Sequence, residues 1–249
     1  MVDRASLVVA ASLASVAASL LLLRRRRRTG TGTAGARVDS NPEAYIPLGR
    51  GALPSCPYEL VTRWVAEHEA QHGFLESHAV VLATSSPEGG ATARTVVLQC
   101  WSKAGLVFGS QRSSLKGRDV ASDPRAEAVL RLGQRQVRFR GTMRLGDDTE
   151  SDAAYRRLTR GAQLGLKVLR QGQPCDGDAA QARLVERWQA LRDADDASPL
   201  SRPPDFAAFV LEPSTIEFYS GGHAGYVNDR WLYAHASDGR FEVQGRLQA

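Results

Sequence analysis

Short runs of apolar and β-branched residues, each broken by Gly, Pro, Asp or Ser, constrain the fold of this chain more than any other feature. Such runs predict strands, and the breaks predict turns. We expect strands at 79–84, 92–99, 105–110, 127–132, 135–145, 207–212, 214–220, 229–234 and 240–246. Most connections are too short for crossover helices, so the strands should pair mainly antiparallel. About nine such strands with few helices predict a mostly β, α+β fold built as a barrel with peripheral helices.

Three segments outside these strands have helical character. Apolar residues recur at helical spacing between Pro57 and Leu75. A shorter helix is expected at 113–121, where serines can cap its start. A third helical block covers 150–192. The composition of residues 86–90 (SPEGG) predicts a hairpin turn between the first two strands.

The first 28 residues differ in composition from the rest of the chain. Residues 5–23 form an uncharged run of 19 residues, and five arginines follow at 24–28. A helix of that length spans about 28 Å, close to the hydrocarbon thickness of a bilayer. We expect residues 1–28 to be a membrane anchor that leaves the body facing the cytosol, or alternatively a cleaved mitochondrial or plastid targeting segment. Residues 29–56 predict a flexible linker, and 57–249 a single domain.

The net charge of +5 belongs to that N-terminal segment. Residues 1–28 contain six of the 32 Lys and Arg residues and one of the 27 Asp and Glu residues, which leaves 26 of each in 29–249. The body is therefore neutral, and its charge does not indicate a nucleic-acid-binding protein. The three cysteines have no CxxC spacing and the five histidines do not cluster, so no metal site is predicted.

Several short segments follow one another in a recognisable order. They are 94–98 (RTVVL), 105–108 (GLVF), 113–116 (SSLK), 135–137 (RQV) and 216–219 (IEFY), followed by Asp229-Arg230 and Arg246-Leu247. In this order and spacing the chain, from about residue 57 to the C-terminus, resembles the pyridoxamine/pyridoxine 5′-phosphate oxidase family. The resemblance implies an FMN-binding split β-barrel that forms a homodimer with FMN at the subunit interface. It also implies hydride transfer from pyridoxine or pyridoxamine 5′-phosphate to flavin N5 and then to oxygen, giving pyridoxal 5′-phosphate.

The resemblance also carries residue roles onto this sequence. Arg94 and Lys116 would bind the FMN phosphate, Gln136 the flavin ring and Arg230 its electron-rich edge, while Gln171 and Gly172 would reach the partner's flavin. The full set of implied cofactor-binding residues is Arg94, Thr95, Val96, Val97, Leu98, Gly109, Ser110, Ser114, Lys116, Gln136, Gln171, Gly172, Tyr219 and Arg230. The implied substrate-binding positions are Gln99, Tyr155, Arg160, Tyr226 and Asn228. No catalytic residue is assigned, because in such enzymes the flavin carries the chemistry.

At several of these positions the chain departs from the family pattern. Gly109 stands where the family has an aromatic residue, and Leu115 where it has a second phosphate-binding cation. Gln99, Tyr226 and Asn228 replace charged or histidine substrate contacts. FMN binding is therefore better supported than oxidation of a phosphorylated vitamer. An FMN enzyme with a less anionic substrate, and a non-catalytic flavin- or pyridoxal-phosphate-binding protein, remain alternative hypotheses.

Overall fold

Eight antiparallel strands form a single sheet, and part of this sheet closes into a barrel. The computed structural model describes residues 48, 51, 53–221 and 228–248. Its strands are β1 (Ala79–Ser86), β2 (Gly90–Ser102), β3 (Gly105–Gln111), β4 (Arg125–Leu132), β5 (Arg135–Leu145), β6 (Phe206–Ser220), β7 (Asp229–His235) and β8 (Phe241–Arg246). The order in the sheet is β3-β2-β1-β4-β5-β6-β7-β8, and an additional pairing of β3 with β6 closes the first six strands into a barrel. The predicted barrel architecture is confirmed.

Six helices surround the barrel in the described part of the chain. They are α1 (Pro57–His72), α2 (Phe74–His78), α3 (Leu115–Ser122), α4 (Asp148–Arg156), α5 (Arg160–Val168) and α6 (Gly177–Asp193). Side chains fix several of their starts, because the first backbone amides of a helix lack partners within it. Ser114 and Thr159 accept hydrogen bonds from the first turns of α3 and α5, and Asp147 forms a reciprocal capping box with Glu150 at α4.

The barrel interior is filled by alternate residues of the strands, as a period of two requires. Val80 and Leu82 of β1 and Val137 and Phe139 of β5 are almost fully buried. Helix α1 packs against the barrel strands, where Trp64 meets Phe218 edge to face with ring centroids 5.4 Å apart. The candidate site described below lies elsewhere, at strand edges and at the ends of helices.

Two secondary-structure expectations were wrong. The predicted strands 207–212 and 214–220 are one strand, β6, in which Pro213 stands opposite Gly141 at a register shift. Proline is tolerated there because the irregular pairing does not require the amide hydrogen that it lacks. The helical block at 150–192 is three helices. Thr159 caps the second of them, and glycines with positive φ at Gly172 and Gly177 separate the second from the third.

The predictions for residues 1–28 lie outside the described residues, as does most of the predicted linker at 29–56. Among the residues that the structure does describe, no helix is both long enough and apolar enough to cross a membrane.

Candidate functional site

Strands β2 and β3 separate over half of their length, and this separation creates the candidate site. They pair only where 98–102 meets 105–108, with a register shift next to Leu98. Residues 94–97 pair with β1 on one side, and no described strand pairs with their other side. Gly109 and Ser110 pair with β6 but not with β2. Backbone hydrogen-bonding groups must find partners in a folded protein, so these two facing edges can accept a ligand.

A group of polar side chains lies where α3 begins, next to this opening. The Lys116 ammonium donates hydrogen bonds to Ser110 Oγ (2.8 Å), Ser114 Oγ (3.2 Å) and Gln171 Oε1 (3.3 Å). Ser110 Oγ itself donates to Gln171 Oε1 at 2.9 Å. We call Ser110, Ser114, Lys116 and Gln171 the Lys116 cradle. All three acceptors around the lysine are neutral, so its charge is not cancelled within the cradle.

The electrostatics of the cradle favour an anion. Burial, together with the nearby positive charge of Arg94, lowers the pKa of Lys116. The Arg94 guanidinium donates to Thr84 Oγ1 (2.7 Å) and Thr92 Oγ1 (2.6 Å) and faces the buried carboxylate of Asp119 at 3.5 Å. One carboxylate therefore stands beside two cations, and the start of a helix adds partial positive charge. This excess of positive charge favours a bound phosphate.

A second group of predicted residues lies in one row across β5, β6 and β7. Gln136 is paired with Tyr219, and Tyr219 is paired with Arg230. Directly paired residues project from the same face of a sheet, so an amide, an aromatic ring and a guanidinium stand side by side, all of them half-buried. Glu217 binds the Arg230 guanidinium at 2.9 Å from both Nε and Nη2.

Comparison with known proteins identifies the family of this barrel. The family model described as "Pyridoxamine 5'-phosphate oxidase" matches residues 66–220. The chain belongs to the pyridoxamine 5′-phosphate oxidase family. Among curated relatives, the pyridoxine/pyridoxamine 5′-phosphate oxidase of Rubrobacter xylanophilus is 34% identical over 200 residues, covering 80% of this chain and 88% of the relative. The enzyme of the same name from Microcystis aeruginosa is 32% identical over 191 residues, covering 76% and 86%.

Two solved structures of known proteins have the same fold. PhzG from Burkholderia lata, solved with tetrahydrophenazine-1-carboxylic acid, matches with a TM-score of 0.70 and 22% identity, covering 83% of this chain and 98% of PhzG. A pyridoxamine 5′-phosphate oxidase-related, FMN-binding protein from Nostoc punctiforme matches with a TM-score of 0.61 and 18% identity, covering 77% and 96%. The split-barrel fold expected from the sequence is confirmed.

The cofactor residues implied by the family resemblance fall into two groups on different parts of the sheet. Residues 94–98, Gly109 and the Lys116 cradle surround the opening between β2 and β3, whereas Gln136, Tyr219 and Arg230 form the distant row. Ser110 is paired with Ala207 of β6, and Tyr219 lies twelve residues further along that strand. At about 3.3 Å per residue the path between them along β6 is about 40 Å. Gln171 belongs to the cradle of its own chain, and the neighbouring Gly172 is exposed.

The implied substrate residues have unexpected partners. Gln99 donates from Nε2 to the Ala154 carbonyl at 3.2 Å, and Tyr155 is almost fully buried. Arg160 donates from Nε to Asp195 Oδ2 at 2.7 Å and also binds the second carboxylate oxygen through Nη2. Asn228 is half-buried beside β7, and Tyr226 lies outside the described residues.

Two acidic residues that contact implied site residues were not anticipated from the sequence. Asp119 holds Arg94 and Asp195 holds Arg160, although the members of these pairs lie 25 and 35 positions apart. No local pattern marks either carboxylate. Trp188 and Phe206, which line a pocket next to the cradle, were also missed. Gly109 stands where the family has an aromatic residue, and the ring of Phe206 occupies the neighbouring space. Phe206 Cζ would stand 2.7 Å from a Cβ added to Gly109.

Proposed function

We propose that this chain is an FMN-dependent oxidoreductase of the pyridoxamine 5′-phosphate oxidase type. The observation that supports it best is the Lys116 cradle, a half-buried ammonium held only by neutral acceptors at the mouth of two unpaired strand edges. The donor set fits FMN. The cradle suits its phosphate, and the free edge of 94–97 offers backbone groups to its ribityl chain and ring.

In this proposal each group of residues has a separate task. Lys116, Ser110 and Ser114 hold the phosphate through charge-assisted hydrogen bonds. Gln136 and Tyr219 would contact the polar edge and the face of the ring, and Arg230, which Glu217 holds in an ion pair, would lie at the electron-rich edge of the ring as a hydrogen-bond donor. When bound, FMN would supply the acceptor for a substrate hydride and a route for the electrons to oxygen. The protein's own residues would bind and orient the flavin and the substrate, and they would exclude water from the site.

The complete site is proposed to need two copies of the chain. The row of Gln136, Tyr219 and Arg230 lies about 40 Å from the cradle of its own chain along the path of β6, and we infer that a second copy supplies it. Val81 and Val97 are neighbouring outward-facing residues of β1 and β2, and 44% and 42% of their surfaces are exposed. These two exposed valines on a neutral body suit a self-complementary interface.

The substrate of the family resemblance, pyridoxine or pyridoxamine 5′-phosphate, is expected to be a poor one. Arg160 is the one cation left among the implied substrate residues, and Asp195 already binds it through two hydrogen bonds. This ion pair favours the second candidate function, an FMN enzyme of the same fold whose substrate is less anionic.

Purification of the full-length protein tests the proposal. The visible spectrum should show bound oxidised flavin, sedimentation should show a dimer, and denaturation should release FMN at about one per chain. Production of hydrogen peroxide from pyridoxine and pyridoxamine 5′-phosphates should be measurable but weak. A monomer that retains stoichiometric FMN would contradict the two-chain site. A flavin-loaded dimer that turns over no substrate would favour a non-catalytic binding protein.

A further inference from the structure

The side chain of Gln111, the last residue of β3, holds the turn that carries Gln171. Gln111 is 1% exposed. Its Nε2 donates to the Leu169 carbonyl oxygen at 2.8 Å, and its Oε1 accepts from the Gln171 backbone amide at 2.6 Å. A side-chain amide offers a donor and an acceptor side by side, as a peptide group does. Gln111 therefore binds this turn in the way that a neighbouring strand would.

The turn has little structure of its own. Gln171 and Gly172 are exposed, and Gly172 has a φ of 78°. An internal hydrogen bond from the Gln173 amide to the Arg170 carbonyl at 3.2 Å gives the turn its shape but does not attach it to the barrel. Exposed connecting segments are mobile unless other parts of the protein hold them. The hydrogen bonds from Gln111 attach this backbone to the end of β3.

The position of the turn matters because Gln171 belongs to the Lys116 cradle. Gln171 Oε1 accepts from Ser110 Oγ at 2.9 Å and from Lys116 Nζ at 3.3 Å, and within the described residues its Nε2 donates no hydrogen bond, so it can be offered to an anion. The Gln111 backbone carbonyl also accepts from the amide and the hydroxyl of Ser114, at 3.2 Å and 2.7 Å. Gln111 thus anchors two members of the cradle and directly follows a third.

We propose that Gln111 is a positioning residue for the flavin phosphate, which assembles the Lys116 cradle before the cofactor binds. This inference rests on the proposed FMN-dependent function. Both polar atoms of the Gln111 side chain are already bonded, so it acts through Gln171 and does not touch the cofactor itself. A ligand that must order its own site binds more weakly than one that meets a preorganised site. The affinity for the phosphate, but not for the flavin ring, should therefore depend on Gln111.

Titration of flavin-free protein with FMN and with riboflavin, followed by flavin fluorescence, tests this role. Gln111→Met removes both side-chain hydrogen bonds at similar side-chain length and should weaken FMN binding about tenfold. Riboflavin has no phosphate, so its affinity should change by less than about twofold. Gln173→Met makes the same exchange at an exposed position of the same turn and should change neither affinity. The proposal is overturned if Gln111→Met binds FMN as wild type does, or loses riboflavin affinity by the same factor as FMN affinity.

A double-mutant cycle shows whether Gln111 acts through Gln171. Gln171→Ala removes the cradle side chain and should by itself weaken FMN binding about tenfold. Residues that act as one unit are not additive, so adding Gln111→Met to Gln171→Ala should weaken FMN binding by less than about a further twofold. A further tenfold loss would show that Gln111 acts independently of Gln171 and would overturn the proposal. Thermal unfolding of each variant verifies that it is folded.

Hydrogen exchange in wild-type protein gives a readout that needs no variant. A backbone amide held by a buried acceptor exchanges slowly, so in flavin-free protein the Gln171 amide should exchange at least about tenfold more slowly than that of Gly172, after correction for intrinsic rates. Equal rates would contradict a preassembled turn. Wild-type protein that binds no FMN would instead refute the proposed function. Inorganic phosphate would then replace FMN in the titrations, and the same variants would still decide whether Gln111 positions the cradle.

Discussion

Replacement of Lys116 by alanine should weaken FMN binding about 10- to 100-fold. The ammonium is the one charged group in the cradle, and its three contacts at 2.8–3.3 Å are all neutral. A hydrogen bond to a charged group contributes about 1.5–3 kcal/mol, and 1.4 kcal/mol corresponds to about tenfold in affinity. Arg94 cannot fully replace the lost charge, because Asp119 and two threonine hydroxyls already hold its guanidinium.

Flavin fluorescence quenching during titration of flavin-free protein measures this effect. Lys103→Ala is the matched control, since it removes an equal charge from the exposed turn between β2 and β3. Riboflavin, which lacks the phosphate, should bind wild type and Lys116→Ala with similar affinity. If FMN binds Lys116→Ala as tightly as wild type, the phosphate lies elsewhere and the reasoning fails.

Three further outcomes are expected. FMN affinity should fall as pH rises through the pKa of Lys116, which lies below the usual 10.5, because only the protonated amine attracts phosphate. In fluorescence titrations, Lys116→Arg should abolish this decline. Gly141→Ala should destabilise the barrel by about 1–3 kcal/mol in urea unfolding, since its Cβ would stand 2.0 Å from the Glu212 carbonyl oxygen; an unchanged midpoint would show that the register shift can relax. Gln99→Lys with Tyr226→Arg should lower KM for pyridoxine 5′-phosphate about 10-fold or more without changing FMN affinity, and unaltered steady-state kinetics would refute this.

Much of the barrel could be predicted from the sequence because its signals are local. Alternation in β1 and β5 places Leu82, Val137 and Phe139 inside, and the turn at 86–90 joins β1 to β2. The continuity of β6 could not be predicted from the sequence, because a proline such as Pro213 ordinarily marks the end of a strand. The proline is accommodated at a register shift where Ser214 is an extra residue of β6 relative to β5, and that pairing joins segments distant in sequence.

The candidate site was predictable only in part, for a related reason. The family resemblance indicated Lys116 and Arg94 as phosphate-binding residues. Whether a neighbouring carboxylate neutralises a cation, however, depends on residues distant in sequence. Lys116 is contacted by Gln171, 55 positions away, and Arg160 is paired with Asp195, 35 positions away. A lysine among neutral acceptors and an arginine bound by a carboxylate have the same formal charge in a sequence, yet only the former offers an unbalanced charge to an anion.

The two-chain site makes a prediction that separates it from any site within one chain. Lys116→Ala damages the cradle, and Arg230→Gln damages the row on β7. If each site combines the cradle of one chain with the row of its partner, a mixed dimer has one doubly altered site and one intact site. Random reassortment of the two variants gives mixed dimers in about half of the population, so about a quarter of all sites should regain wild-type FMN affinity.

Refolding the two variants together, followed by titration at an FMN concentration that saturates only wild-type sites, measures that fraction. Each variant refolded alone is the control and should bind little flavin under the same conditions. If the cradle and the row of one chain formed its own site, every chain in the mixture would still carry one defect. Mixing would then restore nothing, and the two-chain site would be refuted.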